Sequence, residues 1–299
     1  MKKNPKIIVI LGQTATGKSN LAVILARKFN GEIISADSRQ VYKGLDIGTG
    51  KITKREMKGV PHHLLDVVSP KRPARLGGTF TASEYKALAE EKIKEILSKG
   101  KVPIICGGTG FYIDAITKGV VFSEVPPNLK LRKILEKKTP EELFKMLKKL
   151  DARRAKDIDQ KNKVRLIRAI EIAKALGKVP KITEEIPPYS FIKIGLSLPP
   201  EELKKKVEKR VKGMFKAGLL KEIQKLKKTG VSDKRLKELG FEYYKPTPEK
   251  VITETIKYSK RQMTWFKRDK QTRLDSARQV KWFSPSETKK IEKYIKEKI

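Results

Sequence analysis

The chain has 299 residues, 38% of them hydrophobic, and its 70 lysines and arginines against 34 acids leave a formal net charge of +36. Such a composition can bury a sizeable core and excludes a chain disordered throughout, while a single cysteine, Cys106, excludes an internal disulfide and fits a reducing cytosol. The basic excess is +11 over residues 1–120, +9 over 121–200 and +16 over 201–299, so it is no detachable tail; it suits a polyanionic partner such as nucleic acid, although a lysine-rich genome or a hot habitat would produce it too.

The first stretch, "MKKNPKIIVILGQT", imitates a signal peptide, but the apolar run Ile7–Leu11 is shorter than the roughly 7–15 residues a signal requires. It reads instead as a central parallel strand buried on both faces. No stretch approaches a membrane span, and a cytoplasmic monomer without a membrane partner is expected. "GQTATGKS", Gly12 to Ser19, follows and satisfies G-x-x-x-x-G-K-[ST]. In that pattern two glycines let backbone N–H groups turn toward an anion at a helix start, a lysine supplies charge, and a hydroxyl suits Mg²⁺. A helical spacing then places Leu21, Ile24, Leu25 and Phe29 on one side.

"GEIISAD" reads as a second strand and "KVPIICGGTG" as a third, with the helical "ASEYKALAEEKIKEILSKG" between them. Alternation of this kind predicts an α/β fold: a phosphate-loop-type parallel sheet flanked by helices. From Val125 the character changes to helical segments, one starting at Thr139-Pro140 with Glu142 as capping partner. We expect residues 1–124 and 163–299 to form the catalytic core with basic C-terminal helices, and 125–162 a small helical insertion domain. Within the core, "KVRLIRAIEIAKALG" is a helix, "FIKIGLSL" a strand, and the last hundred residues mainly helical.

Strand ends converge on ligands in such sheets, so Asp37 should overhang the phosphate loop, suited to taking a proton rather than binding phosphate. A helix N-cap is its bland alternative. Ser38 and Gln40 are of the kind that read a base edge, and "GGTG" brings Thr109 to the same rim. His62 and His63 are adjacent but lack a third ligand, which favours a structural use over metal. Asp66 resembles a magnesium-side acid only weakly, because Pro61 shortens its strand. Trp265 and Phe266 could stack on RNA or form core, and Lys267, Arg268 and Lys270 could meet phosphates or face solvent.

Taken together, "GQTATGKS", "DSRQVYKGLDIGTGK", "PHHLLDVVSP", "CGGTGFYIDAI", "VRLIRAIEI" and "KRQMTWFKRD" resemble, in this order, the bacterial-type tRNA dimethylallyltransferase family, from about Lys6 to Trp282. The resemblance implies transfer of a dimethylallyl group from dimethylallyl pyrophosphate to N6 of the adenosine 3′-adjacent to the anticodon. It places Gly12, Gln13, Thr14, Ala15, Thr16, Gly17, Lys18 and Ser19 against the pyrophosphate, with Mg²⁺ beside Ser19. Asp37 would be the general base, Thr109 would line the channel, and Arg210 would reach the pyrophosphate. The tRNA would be gripped by Asp37, Ser38, Arg39 and Gln40, by Arg132, by Val164, Arg165, Leu166, Ile167 and Arg168, and by Leu239, Gly240 and Phe241.

The chemistry agrees with such roles. An exocyclic amine is a weak nucleophile that a base assists, and a pyrophosphate leaving group needs cations and N–H donors. The chain departs from the family's pattern in "LGFEYY", where Phe241 and Glu242 replace a tyrosine and a basic residue, which puts that tRNA contact in doubt. A nucleoside or small-molecule kinase, a nucleotide-switched RNA-binding module and an enzyme prenylating free adenine nucleotides are the competing readings.

Overall fold

The structure, a computed structural model, describes residues 4–72, 80–268 and 279–299. Its centre is β1 (Lys6–Gly12), whose residues after Lys6 are all buried. On one side lie β4 (Val102–Gly107), β2 (Gly31–Ala36) and the two-residue β3 (His62–His63); on the other lie β7 (Ser190–Leu196) and β8 (Lys281–Phe283). The six strands run in the order β3-β2-β4-β1-β7-β8, and every pairing is parallel. Continuous apolar runs such as "IIVIL" are what strands covered on both faces require. The register pairs Ile10 and Ser35 with Cys106, and Gly12 with Leu196. The carboxyl ends of β1, β2 and β4 are therefore level, and the loops that follow them share one edge.

The helices of this unit are α1 (Lys18–Lys28), α2 (Lys54–Met57), α3 (Ala82–Ser98) and α4 (Gly110–Thr117), then, after the second unit, α9 (Pro200–Lys216), α10 (Leu219–Lys228), α11 (Asp233–Leu239), α12 (Pro248–Lys267) and α13 (Thr288–Lys296). Leu21 and Leu25 of α1 and Ile291 and Ile295 of α13 bury against Ile8, Ile10 and Ile194. Tyr85 of α3 stacks on Tyr112 of α4 with ring centroids 4.2 Å apart. The last hundred residues are mainly helical, as expected, and add one unexpected strand, β8. Three residues carry no readable periodicity, and "KWF" becomes a strand only because the edge of β7 accepts it.

Two compact units emerge: the described residues of Met1–Lys71, Ala82–Gly119 and Ile186–Ile299, and those of Arg72–Thr81 and Val120–Glu185. The second holds β5 (Val120–Val121) and β6 (Thr183–Glu184), paired antiparallel, with α5 (Leu129–Leu135), α6 (Pro140–Leu150), α7 (Ala152–Asp157) and α8 (Lys163–Leu176). The expected start of α6 is present, with Thr139 and Glu142 forming a reciprocal capping box. The expected boundary between 162 and 163 is displaced. Leu166, Ile167 and Ile170 of α8 share one buried cluster with Leu135, Leu143 and Leu147, so cutting before α8 would open that core.

Candidate active site

The phosphate loop is built as its sequence requires. Gly12 and Gly17 both have positive φ, 131° and 88°, a region disfavoured for side-chain-bearing residues. Thr16 Oγ1 donates to the Gln13 carbonyl at 2.8 Å, and Lys18 Nζ donates to the same oxygen at 2.6 Å. The Gln13 side chain accepts from Leu198 N at 3.1 Å, which ties the loop to the end of β7. Although part of its stem reaches the surface, Lys18 has an enclosed ammonium, and burial pulls its pKa down to about 8.

Asp37 follows β2. Its Oδ1 accepts from Arg39 N at 2.8 Å and Gln40 N at 3.3 Å, but the residues that follow form a turn, so the arrangement caps a turn and not the helix of the alternative reading. It does not exhaust the carboxylate: Oδ2 has no hydrogen-bond partner among the described residues. The Asp37 charge favours the protonated forms of both Lys18 and Arg210, which makes the three electrostatic neighbours. Arg210, on α9, donates from Nη2 to the Thr49 carbonyl at 2.9 Å; burial lowers its proton affinity, opposed by Asp37 and Glu242. Among the described residues neither Lys18 nor Arg210 has an ion-pair partner. Two enclosed cations without carboxylate partners favour an anionic ligand.

Thr109 sits at the third corner. Its Oγ1 accepts from Ser38 N at 2.9 Å, and its own N–H donates to Ala36 O at 3.1 Å. Gln40 Nε2 reaches the Thr49 carbonyl at 3.4 Å, and Arg39 Nη1 donates to Glu238 O at 2.6 Å. Leu239 and Gly240 are buried and Phe241 packs with Leu198 and Val207, so these residues hold the rim from inside. Glu242, the departure from the family's pattern, lies in the field of Arg39, Asp37 and Arg210, and burial raises its pKa to about 7.

In the second unit Val164 is 77% exposed and Arg165 is exposed, whereas Leu166 and Ile167 face that unit's own core. The Arg132 guanidinium is held bidentate on Glu171, with both N–O distances 2.7 Å, and Arg168 donates to the Val125 carbonyl at 2.7 Å.

Two positions in α12 carry more than sequence reading assigned them. Gln262, 5% exposed, accepts from Thr14 N through Oε1 at 2.8 Å and donates from Nε2 to the Gly108 carbonyl at 2.9 Å. One amide thus clips the phosphate loop to the "GGTG" loop. The Tyr258 hydroxyl lies close to the side chains of Thr109 and Gln262 and in the field of Asp37. Trp265 resolves toward packing: an added Cβ on Gly110 would stand 2.1 Å from its Cδ1, its Nε1 donates to Asp114 at 3.1 Å, and the Arg268 guanidinium lies 3.7 Å from its ring centroid. Lys270 lies outside the described residues.

His63, His62 and Asp66 each have a partner within the protein. His63 pairs with the buried Glu32 at 2.7 Å, His62 Nδ1 meets the Val60 carbonyl at 2.8 Å, and Asp66 binds Lys51 at 2.6 Å. Among the described residues no group of three or more His, Cys, Asp or Glu could hold a metal. Ser19 is exposed on the first turn of α1, and its hydroxyl is without a partner among the described residues. This donor set fits a Mg²⁺ held chiefly by substrate oxygens and water, not a cation caged by protein.

A parallel α/β sheet whose phosphate loop faces a carboxylate and an arginine defines a phosphate-loop-type enzyme scaffold. The family model described as IPP transferase matches residues 40–269. The chain is 36% identical to the tRNA dimethylallyltransferase of Anoxybacillus flavithermus, covering 98% of this chain and 94% of that one. It is similar to the solved structure of the full-length tRNA isopentenylpyrophosphate transferase from Bacillus halodurans, with TM-score 0.69, 31% identity, and 99% and 97% of the two chains covered. A eukaryotic dimethylallyltransferase acting on tRNA is similar at TM-score 0.73 and 26% identity, covering 98% of this chain and 77% of that one. The chain belongs to the IPP transferase family.

Proposed function

We propose that the protein transfers a dimethylallyl group from dimethylallyl pyrophosphate to N6 of the adenosine 3′-adjacent to the anticodon of tRNA, releasing pyrophosphate. The observation that carries this reading is the partnerless Asp37 oxygen beside two enclosed, ion-pair-free cations, Lys18 and Arg210. A kinase reading uses the phosphate loop but gives the opposed carboxylate no comparable task, and the family membership weighs against it.

In this mechanism Lys18, Arg210 and the N–H groups of the phosphate loop bind the pyrophosphate and take up charge as the allylic C–O bond breaks. Thr14 N–H is committed to Gln262, so it holds the loop in shape instead of donating to the leaving group. Asp37 removes the N6 proton as the C–N bond forms, with its Oδ1 held by Arg39 N and Gln40 N so that Oδ2 is presented. Thr109, fixed by Ser38 N, borders the space between the reactants. Ser19 would hold Mg²⁺ together with pyrophosphate oxygens; when bound, the ion neutralises charge on the leaving group.

No helix of the described residues is long and apolar enough to cross a membrane. A monomer working in the cytoplasm on tRNA completes the proposal. Val164, Arg165 and the basic helices supply contacts to tRNA, and Arg132 and Arg168 brace the segment that carries them.

The test is mass spectrometry of nucleosides from unmodified tRNA incubated with the protein and dimethylallyl pyrophosphate. N6-dimethylallyladenosine next to the anticodon is expected, and phosphate transfer from ATP to a small acceptor with no prenylated nucleoside would overturn the reading. Asp37→Ala should lower kcat by about a hundredfold or more with tRNA binding retained; near-normal turnover would remove the base assignment.

A further inference from the structure

On α10, away from the phosphate loop in sequence, Glu222 collects an unusual set of donors. Its Oε2 accepts from Asp46 N at 3.1 Å and Ile47 N at 2.8 Å, and its Oε1 from Gly48 N at 3.1 Å and Tyr243 Oη at 3.0 Å. Three consecutive backbone N–H groups converging on one point form an anion receptor, and here a side chain fills it. The next residues are the seat of Arg210. Thr49 offers the carbonyl that takes the Arg210 Nη2 proton, and the guanidinium lies directly on Gly50. An added Cβ on Gly50 would stand 2.2 Å from Nη2, and φ there is +57°, so both contact and backbone depend on this turn keeping its shape.

We infer that Glu222 is a positioning residue for the pyrophosphate arginine: it fixes the 46–50 turn, and the turn fixes Arg210. The inference rests on the proposed role of Arg210 at the donor site. Among the described residues the one hydrogen bond of the guanidinium runs to Thr49, so its placement follows the turn. Tyr243 extends the link. Its ring lies against Gly48, where an added Cβ would stand 2.6 Å from the phenol oxygen, and it belongs to "LGFEYY", whose Leu239 to Phe241 the family resemblance implies on the tRNA side. One carboxylate thereby holds the donor-side turn and the acceptor-side loop in a common frame.

Glu222→Gln keeps the shape but turns an amide N–H₂ toward N–H donors, so at least one of the four bonds is lost. Inorganic pyrophosphate binding to the full chain, measured by calorimetry well below the melting temperature, should weaken about tenfold in Glu222→Gln. Binding of tRNA to the same variant should stay within about twofold of the parent. Tyr243→Phe removes one bond and leaves the three to backbone, so it should retain pyrophosphate affinity within about twofold. A lowered melting temperature with unchanged pyrophosphate affinity in Glu222→Gln would make the residue merely structural and overturn the inference. A Tyr243→Phe loss as large as that of Glu222→Gln would overturn the turn as the cause. If Glu222→Gln does not fold, Gly50→Ala tests the same seat from its other side: weakened pyrophosphate binding supports the inference and parental affinity overturns it. Arg210→Ala separates the layers. Unaltered pyrophosphate binding in Arg210→Ala refutes the donor-site reading, whereas a loss confined to Arg210→Ala refutes the role of Glu222 alone.

Discussion

Lys18 shows how a motif residue acquires its properties from its surroundings. The pattern G-x-x-x-x-G-K-[ST] foretells the lysine and its charge, but not that burial lowers its pKa to about 8. That value has a consequence for donor binding. Below pH about 8 the free enzyme presents an ammonium; above it the amine is neutral, and a pyrophosphate must bring the proton back at a cost. The KM for dimethylallyl pyrophosphate should therefore rise by up to about tenfold per pH unit above pH 8, in steady-state assays at saturating tRNA. Lys18→Ala should raise KM at neutral pH and flatten that profile. The sign for folding is opposite. The folded-state pKa lies below the unfolded value of 10.5, so between pH 8 and 10.5 the unfolded chain binds more protons and this residue's contribution to stability increases with pH. Asp37 was legible for a different reason, since a strand end next to a phosphate loop is a position, and position follows from order along the chain. Gln262 and Glu222 were not legible. Their partners lie 248 residues away at Thr14 and 174 to 176 residues away at Gly48, Ile47 and Asp46, and no local periodicity encodes a contact of that span.

At the scale of elements, strands β1, β2 and β4 and helices α1, α6 and α8 could be read from apolar runs, capping residues and spacing, because each is decided by its own residues. Strand β8 and the end of the second unit could not, because neighbours decide them. Helix α12 joins the two cases. Its existence follows from its sequence, whereas its role depends on landing on two glycines: an added Cβ on Gly108 would stand 2.2 Å from Gln262 Nε2, and one on Gly110 2.1 Å from the Trp265 ring. The helix can approach the "GGTG" loop only there, and Gln262 uses the approach to join that loop to Thr14 N. Gln262→Leu removes acceptor and donor together and leaves buried main-chain groups at both loops unsatisfied, which costs about 2–4 kcal/mol in thermal stability. Gln262→Glu keeps the acceptor for Thr14 but faces Gly108 O with a second acceptor, so it should be the more harmful to catalysis per degree of melting temperature lost. Kinetics and calorimetry on the same two preparations check both; equal kcat losses per degree would remove any special role for the amide's two-sidedness.

For the whole molecule the relevant quantity is charge. An excess of +36 distributed along the chain leaves few positions where a polyanion would be repelled, and the helices α9, α10 and α13 each carry lysines outward while burying an apolar stripe. Such a surface would bind a polyanion through many weak, screened contacts, unlike the proposed donor pocket, whose cations are enclosed and fewer. The two sites should consequently respond to salt in different ways. If about six to ten lysines and arginines meet tRNA phosphates, affinity should fall by about a thousandfold or more between about 50 and about 200 mM monovalent salt. Pyrophosphate binding at Lys18 and Arg210, judged by inorganic pyrophosphate in the absence of tRNA, should change far less over the same range, because enclosure shields those charges from the added ions. A log–log plot of tRNA affinity against salt measures the number of contacts directly. A flat plot would assign the net charge to solvation of the surface or to heat tolerance instead of to RNA, and would return the weight of the functional argument to the site around Asp37 alone.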